Sequence, residues 1–284
     1  MEVTIEGARI FCQPVGSERN YPLFALHGGP GLDHTSLHPW LDALADQFYL
    51  IYVDQRGQGR SERVDPTTLT LSRFARDVTL LAQELGLPRY ALLGHSFGAM
   101  VSVVHAAEQG TASHYVISDG TASFSKSIPE INANIEAMQP EALREQVRES
   151  WALEPDAKTQ ADVAHLLAMQ MPFHFADPQG EPLRRFMAEQ SGAIYAPEVL
   201  AYFAENEYAM EYEDQLGRVS RPTLVITGAH DRTCTPRAAR DIVAGVPGSE
   251  LVILPDSGHM GFVEQPGMYF AAVRDFFARH PTQS

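Results

Sequence analysis

The chain has 284 residues, 44% of them hydrophobic, which is enough for one large core or two small ones and is ordinary for a globular protein. With 36 acidic against 21 basic residues the formal net charge is −15, so a phosphate backbone would be repelled and nucleic acid is excluded as a partner. No segment approaches the roughly 18 continuous apolar residues that cross a bilayer as a helix. The opening MEVTIEGARIF lacks the basic start and apolar run of a secretory leader, and we expect a cytoplasmic protein without a membrane partner. Cys12 and Cys234 are expected to be free thiols, because a core of this size needs no disulfide.

VTIEGARIF (3–11) reads as two short strands around Gly7, and YPLFALHGG (21–29) as a buried strand ending in a glycine-rich loop. QFYLIYVDQRGQG (47–59) repeats that plan. Between residues 69 and 86, Leu71, Phe74, Ala75, Val78, Leu81, Ala82 and Leu85 follow helical spacing, with Thr68 or Thr70 as cap and Gly86 as stop. RYALLGHS is a short apolar strand, FGAMVSVVHAAEQG a helix closed by Gly110, and HYVISDG a further strand. Late in the chain RPTLVITGAHD and SELVILPDSGH predict two more buried strands, and residues 268–279 a final helix with Phe270, Val273 and Phe277 on one face.

Strands alternating with helices imply an α/β fold, a mostly parallel sheet covered by helices on both faces. The stretch from about 121 to 216 differs, being helical in pattern, rich in Glu, Ala, Met and aromatics, and broken by prolines. A helical insert of this length cannot join the sheet. We therefore expect a core of residues 1–119 and 217–284 and a helical cap of residues 120–216, packed over the carboxyl ends of the strands where such folds bind ligands.

GHSFG, residues 94–98, fits G-x-S-x-G, and it lies between a predicted strand and a predicted helix. A serine in that turn is held clear of the backbone at the positive end of a helix, which suits a nucleophile around which negative charge develops. A hydroxyl is a poor nucleophile near neutral pH, so Ser96 needs a base and an acid to orient it. His259 follows the last strand, and the other later histidine, His280, lies beyond the final helix. For the acid, Asp231 is favoured over Asp119, which also ends a strand, and over Asp256, which fits a helix cap. The backbone N–H of Phe97 and one from HGGPG (27–31), for which we choose Gly29, would supply the oxyanion donors. Neither a dinucleotide fingerprint nor a phosphate loop is present, and the proposed chemistry calls for no cofactor and no metal; His165 and His174 have no second ligand at metal spacing.

HGGPG, DQRGQGRS (54–61), GHSFG, GAHD and SGH stand in the order and approximate spacing of the α/β-hydrolase fold, which the chain resembles over residues 1–119 and 217–284. The first two motifs resemble the proline iminopeptidase branch. That resemblance implies a serine hydrolase that removes small amino-terminal residues from a short peptide or small molecule and holds the free amine with glutamates of the cap. In AENEYAMEYEDQ (204–215) it implies Glu205 or Glu207 as that carboxylate. Two positions depart from the branch: Arg232 stands where an acid often follows the catalytic aspartate, and His95 replaces the usual glycine before the nucleophile. A carboxylesterase or amidase acting on uncharged substrates, and a ligand-binding member of the fold without turnover, are the alternative readings.

Overall fold

The structure, a computed structural model, describes residues 1–206 and 210–282. Its strands are β1 (Glu2–Ile5), β2 (Ala8–Val15), β3 (Tyr21–Leu26), β4 (Phe48–Val53), β5 (Ala91–His95), β6 (Tyr115–Ser118), β7 (Thr223–Gly228) and β8 (Glu250–Leu254). They form one sheet in the order β1-β2-β4-β3-β5-β6-β7-β8. β2 is antiparallel to both its neighbours, and every pairing from β4 to β8 is parallel. β3 leads out to β4 on one side, and the chain returns to lay β5 on the other. The topological switch point, where open α/β sheets hold ligands, thus lies between β3 and β5.

Helices α1 (Leu71–Glu84) and α2 (Phe97–Glu108) follow β4 and β5. The insert between β6 and β7 carries α3 (Phe124–Glu136), α4 (Glu141–Leu153), α5 (Gln160–His174), α6 (Glu181–Glu189) and α7 (Pro197–Asn206). α8 (Pro236–Gly245), the short α9 (Gly261–Glu264) and α10 (Pro266–Arg279) complete the core. The apolar runs of the strands are explained by burial on both faces. In β3, Phe24 and Leu26 pack with α1 and α2, while Leu23 and Ala25 pack with Phe276 and Phe277 of α10. α1 buries the predicted stripe from Leu71 to Ala82, with Leu85 half-buried just beyond its end, and Thr70 is its cap, its hydroxyl accepting the N–H of Arg73 at 3.1 Å.

One expectation needs correction. β8 is an edge strand whose residues Glu250 to Ile253 are half-buried, because no strand pairs beyond it. Both cysteines are free and buried. Among the described residues no helix is long and apolar enough to cross a membrane.

Candidate active site

β5 ends at His95, and the chain reverses into α2 through Ser96, whose φ of +55° and ψ of −115° lie outside the regions side chains normally occupy. Strain of this kind persists only where the surroundings enforce it. Here the glycines do so: a Cβ on Gly94 would sit 2.0 Å from the Gly98 carbonyl oxygen, and one on Gly98 would sit 2.2 Å from that of Leu26. Strand, helix and β3 meet more closely than any other residue allows. Gly98→Ala is therefore expected to destabilise the fold by roughly 3 kcal/mol or more, since the obstructing atoms are backbone and cannot rotate away. Thermal unfolding would register this as a fall in Tm on the order of 5–10 °C.

The acid and base loops meet across the same sheet edge. His259 Nδ1 lies 2.8 Å from Asp231 Oδ2, while Asp231 Oδ1 accepts the N–H groups of Thr233 at 2.8 Å and Cys234 at 3.0 Å. A carboxyl that accepts from three donors fixes the imidazole with Nδ1 as donor. Burial opposes a charge on His259, but the Asp231 carboxylate outweighs it and raises the imidazole above its ordinary range. Gly228 and Gly258 permit the approach: a Cβ on Gly228 would meet the Gly258 oxygen at 1.9 Å, and one on Gly258 the His174 oxygen at 2.6 Å. Of the rival acids, Asp256 is exposed and bonded to Gln265, and Asp119 is buried on the neighbouring strand end.

Ser96 and His259 open into one cavity of about 340 Å³, which Gly28, Gly29 and Pro30 also line. No hydrogen bond joins the Ser96 hydroxyl to His259 among the described residues, a looseness common before substrate binds. Gly28 brings the HGGPG backbone against Ser96, since a Cβ there would stand 3.2 Å from Ser96 Cβ. Phe97, the other expected oxyanion donor, is the first residue of α2 and is fully buried. The DQRGQGRS loop buttresses this arrangement. Asp54 accepts the N–H of His34 at 2.8 Å and that of Arg60 at 2.7 Å, Gln58 accepts the N–H of Gly31 at 2.6 Å, and Gln55 donates to the His27 carbonyl at 3.0 Å.

The helical insert closes the cavity from above. Phe186, Met187, Tyr195 and Phe203 line it, whereas Phe173 and Phe175 are core and Tyr202 does not reach it. His174, at the end of α5, is a site residue the sequence did not single out for a role. Its carbonyl accepts the His259 N–H at 2.7 Å, and its ring stands 5.1 Å from that of His259, depressed to about 3 by burial and by its charged neighbour. His165, by contrast, is exposed.

The structure does not bring Glu205 into the cavity. Leu200, Phe203 and Ala204 turn that face of α7 inward, and the next residue is carried round the helix into solvent. Glu207 lies outside the described residues. Among the described residues lining the cavity the one carboxyl belongs to Glu154, just beyond α4, whose Oε1 accepts from Gln170 Nε2 at 2.6 Å. Burial pushes it up to about 7, against the opposing effect of the Gln170 hydrogen bond.

Arg232 does not point into the cavity. Its guanidinium donates to the carbonyls of Phe173 at 3.2 Å, Phe175 at 2.7 Å and Ala176 at 3.3 Å, capping the carboxyl end of α5 and tying the acid loop to the cap. Arg232→Met would leave these carbonyls without that donor, and a loss of about 1–3 kcal/mol is expected. Urea unfolding would show it as a lowered midpoint.

A family model described as the alpha/beta hydrolase fold matches residues 21–266. The chain is 30% identical to a proline iminopeptidase of Lactobacillus acidophilus over 267 residues, which cover 89% of this chain and 88% of the relative. Among solved structures it is similar to a proline iminopeptidase of Mycobacterium smegmatis, with a TM-score of 0.77, 24% identity and coverage of 99% and 98% of the two chains. An esterase of Thermogutta terrifontis matches with a TM-score of 0.76, 23% identity and coverage of 99% and 100%. With sheet order, elbow and loop positions agreeing, the chain belongs to the α/β-hydrolase fold family, in its proline iminopeptidase branch, and is a hydrolase of that fold.

Proposed function

We propose that this hydrolase works through a Ser96 acyl-enzyme and that its preferred substrates are short peptides or small amides with a free amino terminus, proline foremost. The observation that carries this reading is a serine on a strained elbow and an aspartate-bound histidine opening into one capped cavity that contains a single described carboxyl. Ser96 Oγ attacks the scissile carbonyl and gives its proton to His259 Nε2, while Asp231 stabilises the imidazolium. The oxyanion is met by the N–H groups of Phe97 and Gly29. His259 then delivers the proton to the leaving amine, and water reverses the sequence to release the acyl group. Glu154 replaces Glu205 as the carboxylate that pairs with the substrate ammonium, because it faces the cavity and Glu205 does not.

The largely apolar wall, including Met100, Ile128, Ile131 and Leu167, favours a second reading as a carboxylesterase on uncharged acyl groups. Prolyl and neutral acyl derivatives of one chromogenic leaving group, with Ser96→Ala as blank, separate the two. Faster turnover of the prolyl compound supports the peptidase, and indifference to the amine supports the esterase. A cytoplasmic setting belongs to the same proposal and is consistent with two free thiols.

A further inference from the structure

Asp119 is a titratable group at the site that the reaction described above leaves unused. It directly follows β6, the strand between those preceding Ser96 and Asp231, and its φ of +52° is a conformation that aspartate and asparagine tolerate better than most residues. Its carboxyl is almost completely buried, and Oδ1 accepts the Gly228 N–H at 3.1 Å while Oδ2 accepts the Ser118 hydroxyl at 2.9 Å. No lysine or arginine reaches it among the described residues. One oxygen of Asp119, one of Asp231 and a ring nitrogen of His259 all lie within 4.8 Å of one another.

Two buried carboxyls this close to a single imidazole cannot both stay ionised. Asp231 accepts from three N–H donors, Asp119 from one N–H and one hydroxyl. Asp119 keeps a proton, its affinity for it raised well above the carboxylate range by burial and then by Asp231. His95 supplies independent support. Its Nδ1 is buried without a hydrogen-bond partner among the described residues and lies 3.7 Å from Asp119 Oδ2, so a small shift would let a protonated carboxyl donate to it. The histidine that replaces glycine before the nucleophile thus faces a carboxyl able to carry a proton.

We propose that Asp119 is a reserve acid for His259, a positioning residue whose carboxylate supports the imidazolium when Asp231 is uncharged. With Asp231 neutral, the smaller of the two causes that hold the proton on Asp119 is removed and burial remains; the carboxyl gives up its proton as His259 becomes charged, and presents its own charge to the imidazolium from the adjacent strand end. The inference rests on the serine-hydrolase reading but not on which substrate is turned over.

The test is a double-mutant cycle of Asp119→Asn and Asp231→Asn, read by the rate at which a fluorophosphonate labels Ser96. Asparagine suits the backbone at residue 119 and keeps an acceptor for Gly228. Asp119→Asn is expected to slow labelling by about 100-fold in the Asp231→Asn background and by less than about tenfold in the wild-type background, bringing the double variant to the roughly 10⁴-fold loss of an uncompensated acid. Equal penalties in the two backgrounds overturn the proposal. Absence of labelling in the wild type overturns the serine-hydrolase reading and this inference with it.

A second measurement decides the matter should the double variant not fold. In Asp231→Asn alone, the His259 imidazole followed by NMR should titrate no lower than an ordinary histidine, because the reserve carboxylate and Glu264 offset burial. A value well below the ordinary one overturns the proposal.

Discussion

Ser96→Ala is expected to lower kcat/KM by about 10⁶ with folding intact, the loss found when a nucleophile is removed from a triad that acts as a unit. The substitution is structurally mild. The Ser96 side chain makes no capping hydrogen bond to α2, so the helix loses no partner, and the positive φ is imposed by Gly94 and Gly98 rather than by the hydroxyl. Circular dichroism and Tm should match the wild type while fluorophosphonate labelling disappears. His259→Ala should cost as much, because without a base the hydroxyl keeps its proton. The wild-type pH profile carries a further signature. His259 is raised above 6.5, chiefly because Asp231 outweighs burial, so the acid limb of kcat/KM should lie above the ordinary imidazole value. Retained turnover in Ser96→Ala under stringent purification would remove the acyl-enzyme from consideration.

Ser96 was legible in the sequence because its neighbours are constrained by sterics. Only glycine fits where a strand, a helix and a second strand meet backbone to backbone, and that demand leaves a local pattern. Asp231 and His259 were legible for a related reason: each follows an apolar run, so parallel topology alone carries both to the same sheet edge. The same logic reached its limit at β8, since LVIL is equally apolar at an edge and in the middle of a sheet. The cavity wall left no such trace. Glu154 stands in LEPDAK, a stretch that reads as ordinary surface, and becomes distinctive only because α5 brings Gln170 against it. Glu205, one of the two glutamates the resemblance implied, lies where helical phase turns α7 to solvent, a placement the acidic motif alone does not reveal. His174 and Arg232 likewise act through backbone carbonyls and N–H groups, and nothing in residue type announces such contacts in advance.

Glu154→Gln should reduce the preference for prolyl over neutral acyl substrates by about 10–100-fold at pH 8, because an amide keeps the shape and loses the charge that favours a cation. In the wild type that preference should climb as pH rises through about 7, where the Glu154 carboxyl ionises. It should decline again above about 8, where a terminal amine loses its proton. In the glutamine variant the rise through 7 should vanish. An unchanged preference at pH 8 would exclude Glu154 as the amine anchor. Stability should move in the opposite sense. The folded-state value is raised from 4.5 to about 7, so the fold favours the protonated carboxyl. That contribution is complete below the unfolded value and is lost as pH rises through the folded one. Above pH 7 the wild type holds a charge that its surroundings disfavour, and Glu154→Gln should be the more stable protein by on the order of 2–3 kcal/mol at pH 8, with little difference at pH 4. Chemical denaturation at the two pH values tests this separately from kinetics. A carboxyl that weakens the resting fold where it sharpens selectivity is the pattern expected of a group retained for binding rather than for packing.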